Sequence, residues 1–242
     1  MIKNAITEPQ KFEEIISQDS FLAKKIRCEY EGVRDKPPNN FYILNHCAFM
    51  LMGENMTLCG TLSPEDIEQL SSFCSFFGVY TVESHGDIPL RGERREVCLL
   101  ERREEECTEI EQVTCNKNIY EFAKFCCGNF DDIEFETVYS YFAGKVNKGQ
   151  SNIYYTTENG KIITGAIATF YAYDTVYITF VSTDKAHRGQ GRARGLISHI
   201  AGLNRGKKIQ LMCEEELKPF YLKLGFAQIE NLTLYNLRNE RI

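Results

Sequence analysis

Residues 175–203 read TVYITFVSTDKAHRGQGRARGLISHIAGL, and three kinds of local structure follow one another within that stretch. From Thr175 to Val181 nearly every residue is β-branched or aromatic, the composition of a strand buried on both faces. Asp184, Lys185, His187, Arg188, Gly189, Gln190 and Gly191 then form a polar run that ends the strand in a turn. Its two glycines can take positive φ without steric cost. After Gly191 the apolar residues Ala193, Leu196, Ile197, Ile200, Ala201 and Leu203 recur at spacings of three and four, the stripe of an amphipathic helix. The glycines therefore fall at a helix N-terminus.

That position carries a chemical consequence. The first turn of a helix leaves backbone N–H groups unpaired at the positive end of the macrodipole, which suits an anion. Lys185, His187, Arg188, Arg192 and Arg194 place side-chain charge around it. A diphosphate matches several converging N–H donors. A glycine-rich turn alone does not separate a phosphate site from an ordinary tight turn.

Two motifs add a family resemblance. Arg188-Gly189-Gln190-Gly191-Arg192-Ala193 resembles the R/Q-x-x-G-x-G/A acetyl-CoA signature of the GNAT N-acetyltransferase superfamily, with Val181 and Thr183 ahead of it. Further on, Phe220-Tyr221-Leu222-Lys223-Leu224-Gly225-Phe226 is similar to the F-Y-x-K-L-G-F segment of that family. The resemblance runs from about Glu109 to the C-terminus. It implies an α/β (α+β) class and the GNAT acyl-CoA N-acyltransferase fold, a central mixed sheet flanked by helices. Residues 106–242 would be the catalytic domain, and residues 1–105 a smaller N-terminal α/β domain.

The remainder of the chain sets bounds. Its 242 residues are enough for one large or two small domains with full cores. No run approaches the length of a membrane span, and MIKNAITEPQKFEEII is polar where a signal peptide would be apolar, so a cytoplasmic protein with no membrane contact is expected. The 10 cysteines are scattered without C-x-x-C spacing, which reads as reduced thiols serving as small apolar residues. With His46, His85, His187 and His199 the only histidines, no metal-ligand cluster is apparent and no metal is expected. The basic groups gather in residues 185–194 instead of spreading over a broad face, which favours a local anion site over a nucleic-acid surface.

In order along the chain, a helical pattern around Phe12, Ile15, Ile16, Phe21, Leu22 and Ile26 stops before Pro37-Pro38. Phe41 to Met52 and Met56 to Cys59 read as two strands around Gly53-Glu54-Asn55. Ser63-Pro64-Glu65-Asp66 opens a helix that Gly78 closes, and Val79 to Val82 resume as a strand. This strand–strand–helix–strand order returns at 162–171, 175–183, 191–204 and 207–213. The first half is thus either a degenerate GNAT-like copy that lost its phosphate turn or an unrelated cap. The domain boundary is expected near Glu104 to Glu106, with Ile110 to Thr114 as the next strand. Helices are expected at Asn118 to Cys127 and Glu134 to Lys145, the second carrying Tyr139, Tyr141 and Phe142, which face either substrate or core. A hairpin should span Ile153 to Thr157 and Lys161 to Tyr171 through Glu158-Asn159-Gly160. A C-terminal strand, Leu232 to Leu237, offers an edge for a homodimer.

The resemblance also implies a mechanism: transfer of an acetyl group from acetyl-CoA, a cosubstrate, to a primary amine of a small molecule or peptide by direct attack. Backbone groups from Arg188, Gly189, Gln190, Gly191, Arg192 and Ala193 would hold the diphosphate, and Phe180, Val181, Ser182 and Thr183 would run beside the pantetheine. Tyr221 would lie near the sulfur as general acid, the alternative being a residue that only packs beside the cofactor. No glutamate lies between Thr175 and Val181, where many family members carry one. Glu214 is then either a base acting through water or an acid favoured in a first helical turn. A non-catalytic CoA-binding or regulatory module is the competing reading.

Overall fold

The computed structural model describes residues 1–33, 40–102, 113–130, 134–171 and 174–237. Among the sequence expectations, Pro37-Pro38, the boundary at Glu104 to Glu106, residues 110–112 and Asp131-Asp132 lie outside these. The chain packs as two compact units, one running from Met1 to Leu99 and taking in the C-terminal segment from Ile229, the other Leu100–Gln228.

The first unit contains β1 (Lys3–Asn4), α1 (Pro9–Ile16), α2 (Phe21–Glu31), β2 (Phe41–Leu44), β3 (His46–Met52), β4 (Asn55–Thr61), α3 (Pro64–Phe77) and β5 (Thr81–His85). The helical pattern expected before Pro37 divides in two because Ser20 caps α2, its hydroxyl accepting from the Ala23 amide. The strand expected from Phe41 to Met52 is also two. Asn45, at φ 52°, turns the chain back so that Leu44 pairs with Cys47. Asparagine enters the left-handed region more easily than most residues, and the Asn45 amide is held by Asp66 Oδ1 at 2.6 Å. Neither influence is visible in an apolar run. Phe12, Tyr30 and Phe41 pack edge-on or tilted with centroids 4.9–5.8 Å apart. On the α3 side, Phe49, Leu58, Leu70, Cys74 and Val82 make a second apolar layer.

β6 (Glu93–Arg102) leads into the second unit, which contains β7 (Thr114–Cys115), α4 (Ile119–Cys127), α5 (Phe135–Asn147), β8 (Ser151–Glu158), β9 (Lys161–Tyr171), β10 (Thr175–Thr183), α6 (Arg192–Leu203), β11 (Lys208–Cys213) and α7 (Lys218–Leu222). The expected hairpin forms with Asn159 and Gly160 both at positive φ, as a two-residue turn between twisted strands requires. Phe122, Phe142, Ile153 and Ile167 fill the core. Phe142 is 1% exposed and structural, whereas Tyr139 is 37% exposed and stacks on Phe135. β12 (Phe226–Asn236) completes the chain, and its residues Leu232 to Asn236 pair antiparallel with Thr81 to His85. That edge of the C-terminal strand is therefore used within the chain.

The two units share an order of elements and a set of pairings. β1-α1-α2-β2-β3-β4-α3-β5 is matched by β7-α4-α5-β8-β9-β10-α6-β11. Successive strands pair antiparallel up to β4 and up to β10. The helix crossover then brings β5 parallel to β4, and β11 parallel to β10.

Candidate functional site

The site is built where β10 leaves its neighbours. Its parallel pairing with β11 ends at Tyr177 and Gln210, and its pairing with β9 slips between Thr179 and Ser182. Phe180 and Val181 consequently have no register partner on either strand. Phe180 takes φ 51°, unusual for a bulky residue. Its ring compensates by packing edge-on to Phe142 at 5.0 Å and Phe130 at 5.5 Å. The bulge is thus anchored by a half-buried side chain, while Phe180 and Val181 fall outside the register of both neighbouring strands. Beyond it, Thr164 Oγ1 donates to the Ser182 carbonyl at 2.8 Å and meets Thr183 Oγ1 at 3.0 Å.

Past Thr183, a single 3-10 turn, Lys185–His187, is capped by Asp184, whose carboxylate accepts from the Ala186 amide. Arg188 folds back so that Nε donates to the Thr183 carbonyl at 3.0 Å. Gly189 and Gly191 adopt φ 74° and 76°, and a Cβ built on either would meet nothing within 4 Å. Their backbone is therefore uncrowded on the side a side chain would occupy. Gly191 starts α6 with no side-chain cap and no acid in the first turn. Among the described residues, no backbone N–H from Arg188 to Arg194 donates to a protein group. Orphan donors at the positive end of a helix dipole suit an anion.

The helix of the first unit shows the opposite arrangement. α3 is capped by Ser63 and Asp66 in a reciprocal capping box, with the Asp66 carboxylate also bonded by Asn45. Burial would raise the Asp66 pKa, but the hydrogen bonds from Ser63 and Asn45 outweigh it and hold the carboxyl below its usual range. That N-terminus already contains its own anion.

His187 ties the basic turn to the hairpin. Nδ1 meets Asp184 Oδ1 at 2.9 Å and Nε2 meets Glu158 Oε2 at 2.7 Å. Arg192 approaches the other Glu158 oxygen at 3.8 Å. The bonds to Asp184 and Glu158 raise the imidazole pKa, and the bond from His187 lowers that of Asp184. Glu158 was legible only as a turn residue, since its partner lies 29 positions away.

Tyr221 is 7% exposed, its ring packed edge-on to Phe220 and Phe226, and its hydroxyl makes no hydrogen bond among the described residues. Burial, with a smaller effect of Cys213, pushes its pKa up to about 12. Cys213 ends β11, and burial pushes its thiol up to about 11. Glu214 follows as an exposed residue whose carbonyl accepts from Leu217. Among the described residues, no group of three or more His, Cys, Asp or Glu side chains is gathered for a metal.

The bulged strand, uncapped glycine turn and following strand–helix unit lie within one stretch that matches a family model. The acetyltransferase (GNAT) domain model matches residues 149–228. Residues 149–228 carry a GNAT domain. Solved structures extend the likeness in fold to nearly the whole chain. A GCN5-related N-acetyltransferase from Sphaerobacter thermophilus aligns with a TM-score of 0.60 at 12% identity, over 97% of this chain and 94% of its own. One from Kribbella flavida aligns at 0.61 and 11%, over 91% and 97%. A functionally unknown conserved protein from Staphylococcus epidermidis aligns at 0.64 and 11%, over 84% and 96%. No curated protein matches significantly. The matched residues hold all of β8 to α7, and with them Phe180, Val181, Ser182, Thr183, the turn from Arg188 to Ala193, Glu214 and Tyr221, but not Tyr139 or Tyr141. Among the described residues no helix is long and apolar enough to cross a membrane.

Proposed function

We propose that the protein transfers the acetyl group of acetyl-CoA to a primary amine of a small molecule or peptide. The observation that carries this reading is the uncapped start of α6, where backbone donors from Arg188 to Arg194 are unused and two positive-φ glycines leave the surface bare. A CoA diphosphate fits that donor set. Arg188, Gly189, Gln190, Gly191, Arg192 and Ala193 would hold it. Phe180, Val181, Ser182 and Thr183 would run beside the pantetheine, with the main chain of the bulge as its partner.

Acetyl-CoA supplies an activated thioester. The amide of Phe180 or Val181 would polarise the thioester carbonyl, a donor of this type being worth about 2.7–4 kcal/mol in the transition state. Tyr221 would give its proton to the departing sulfur as the new C–N bond forms and the C–S bond breaks. Its raised pKa keeps it protonated throughout the physiological range. Glu214 is exposed and could accept the proton of the amine only through water.

The test is release of free thiol from acetyl-CoA against a panel of primary amines, with CoA binding measured in parallel. Turnover that falls in Tyr221→Phe while binding persists supports the reading. CoA binding without turnover on any amine would instead make this a non-catalytic CoA module. Failure of Arg188→Glu to weaken CoA binding would reject the cradle itself.

A further inference from the structure

The first unit contains a cleft at strand ends that correspond, in element order, to those preceding the glycine turn of the second unit. β4 pairs with β5 in parallel over three steps, Asn55 with Thr81 to Thr57 with Glu83, and then the register stops. β10 and β11 do the same over three steps, Thr175 with Lys208 to Tyr177 with Gln210. Five residues past each starting residue lies one of positive φ, Gly60 at 101° and Phe180 at 51°. Beyond Thr57 and Glu83 the ends of β4 and β5 border a cleft of about 900 Å³, whose walls include Lys11, Glu14, His46, Thr61, His85 and Glu230. Crevices at the carboxyl ends of splayed parallel strands are where α/β sheets bind ligands, and this volume is within the range of small-molecule sites.

The lining selects the ligand. An anion is disfavoured because the helix start that would receive it, α3, is closed by Ser63 and Asp66. The chain also covers the distance from Asn55 to that cap in eight residues, against sixteen from Thr175 to Gly191, so no long basic turn exists. Lys11, the one lysine in the wall, is drawn toward Glu8 at 3.9 Å. Two carboxylates remain, Glu14 and Glu230, the second fixed by His85 Nδ1 at 2.5 Å. Gln10, Gln18 and Ser20 supply further hydrogen-bonding groups. We propose that this cleft is a second binding site, for a small phosphate-free molecule bearing a primary ammonium group. The proposal is independent of acetyl transfer.

Calorimetric titration of the full chain with spermidine, glucosamine and lysine amide tests it, with ADP as the anionic control. At least one amine should bind, and Glu14→Gln with Glu230→Gln should weaken it by about tenfold or more, the loss expected when charge-assisted hydrogen bonds are removed. Cooperative urea unfolding should persist in that double variant, which reports that the protein is folded. Thr61→Trp, which fills the cleft, should abolish amine binding. In wild-type protein the ring protons of His46 and His85 should shift on adding the amine, and those of His187 should not. The proposal is overturned if no amine binds, if binding is indifferent to both carboxylate substitutions, or if ADP displaces the amine.

Discussion

His187 Nε2 lies 2.7 Å from Glu158 Oε2, which joins the tip of the β8–β9 hairpin to the turn that precedes α6. With Asp184 on the other ring nitrogen, both sides of the imidazole face a carboxylate. The folded pKa lies above the ordinary 6.5, so the charged clasp is complete below that pH and is lost as pH rises through the raised value. In Glu158→Gln the NMR titration midpoint of His187 should fall toward 6.5. CoA affinity should drop by less than about fivefold, since exposed ion pairs are individually weak. A midpoint that does not move would mean that Glu158 is not the partner in solution.

The open glycines predict a separation of stability from binding. Gly191→Ala and Gly206→Ala each place a Cβ on a residue at φ 76° or 80° with nothing within 4 Å. Each should therefore cost about 1–2 kcal/mol in urea unfolding, the strain of a left-handed L-residue. CoA binding should weaken only in Gly191→Ala, whose new methyl stands on the cradle. Equal effects of both substitutions on CoA binding would remove the cradle from Gly191.

Tyr221 should leave a mark on the alkaline side of the rate profile. With a pKa pushed up to about 12, its proton persists well beyond neutrality. The kcat of the wild type should show no alkaline loss attributable to this residue below about pH 10. Tyr221→Phe should reduce kcat at every pH and leave the dissociation constant of CoA near its wild-type value. Unchanged kcat in Tyr221→Phe would assign the tyrosine to packing alone.

α3 depends on its own cap. Ser63→Ala removes the acceptor for the Asp66 amide and a donor to the Asp66 carboxylate, and should destabilise the protein by about 1 kcal/mol. The Asp66 pKa is lowered in the folded state. Its contribution is therefore present above the unfolded carboxyl range and disappears as pH falls through the folded value. Acid unfolding of Ser63→Ala should accordingly be less steep than that of the wild type, and parallel curves would contradict this.

Much of this architecture follows from local chemistry that a single chain displays. The β-branched run at Thr175 to Val181, the glycines at 189 and 191 and the apolar stripe from Ala193 set strand, turn and helix by backbone sterics and periodicity alone. The uncapped helix start was equally readable, since neither Gly191 nor the residues after it offer a capping oxygen or an acid. Ser63-Pro64-Glu65-Asp66 announced its helix for the converse reason.

Tertiary structure decided what depends on partners distant along the chain. Phe180 was read as a cofactor-side residue from its place on the strand; that its half-buried ring packs on Phe142 depends on a helix 38 positions away. The clasp of His187 on Glu158, the turn at Asn45 and the cleft at the ends of β4 and β5 each join segments that periodicity treats separately. Sequence determined which backbone groups would be left without partners, because helix starts and glycine turns are governed by neighbours in the chain. The fold decided which side chains those groups meet, because burial and charge pairing are properties of three-dimensional proximity.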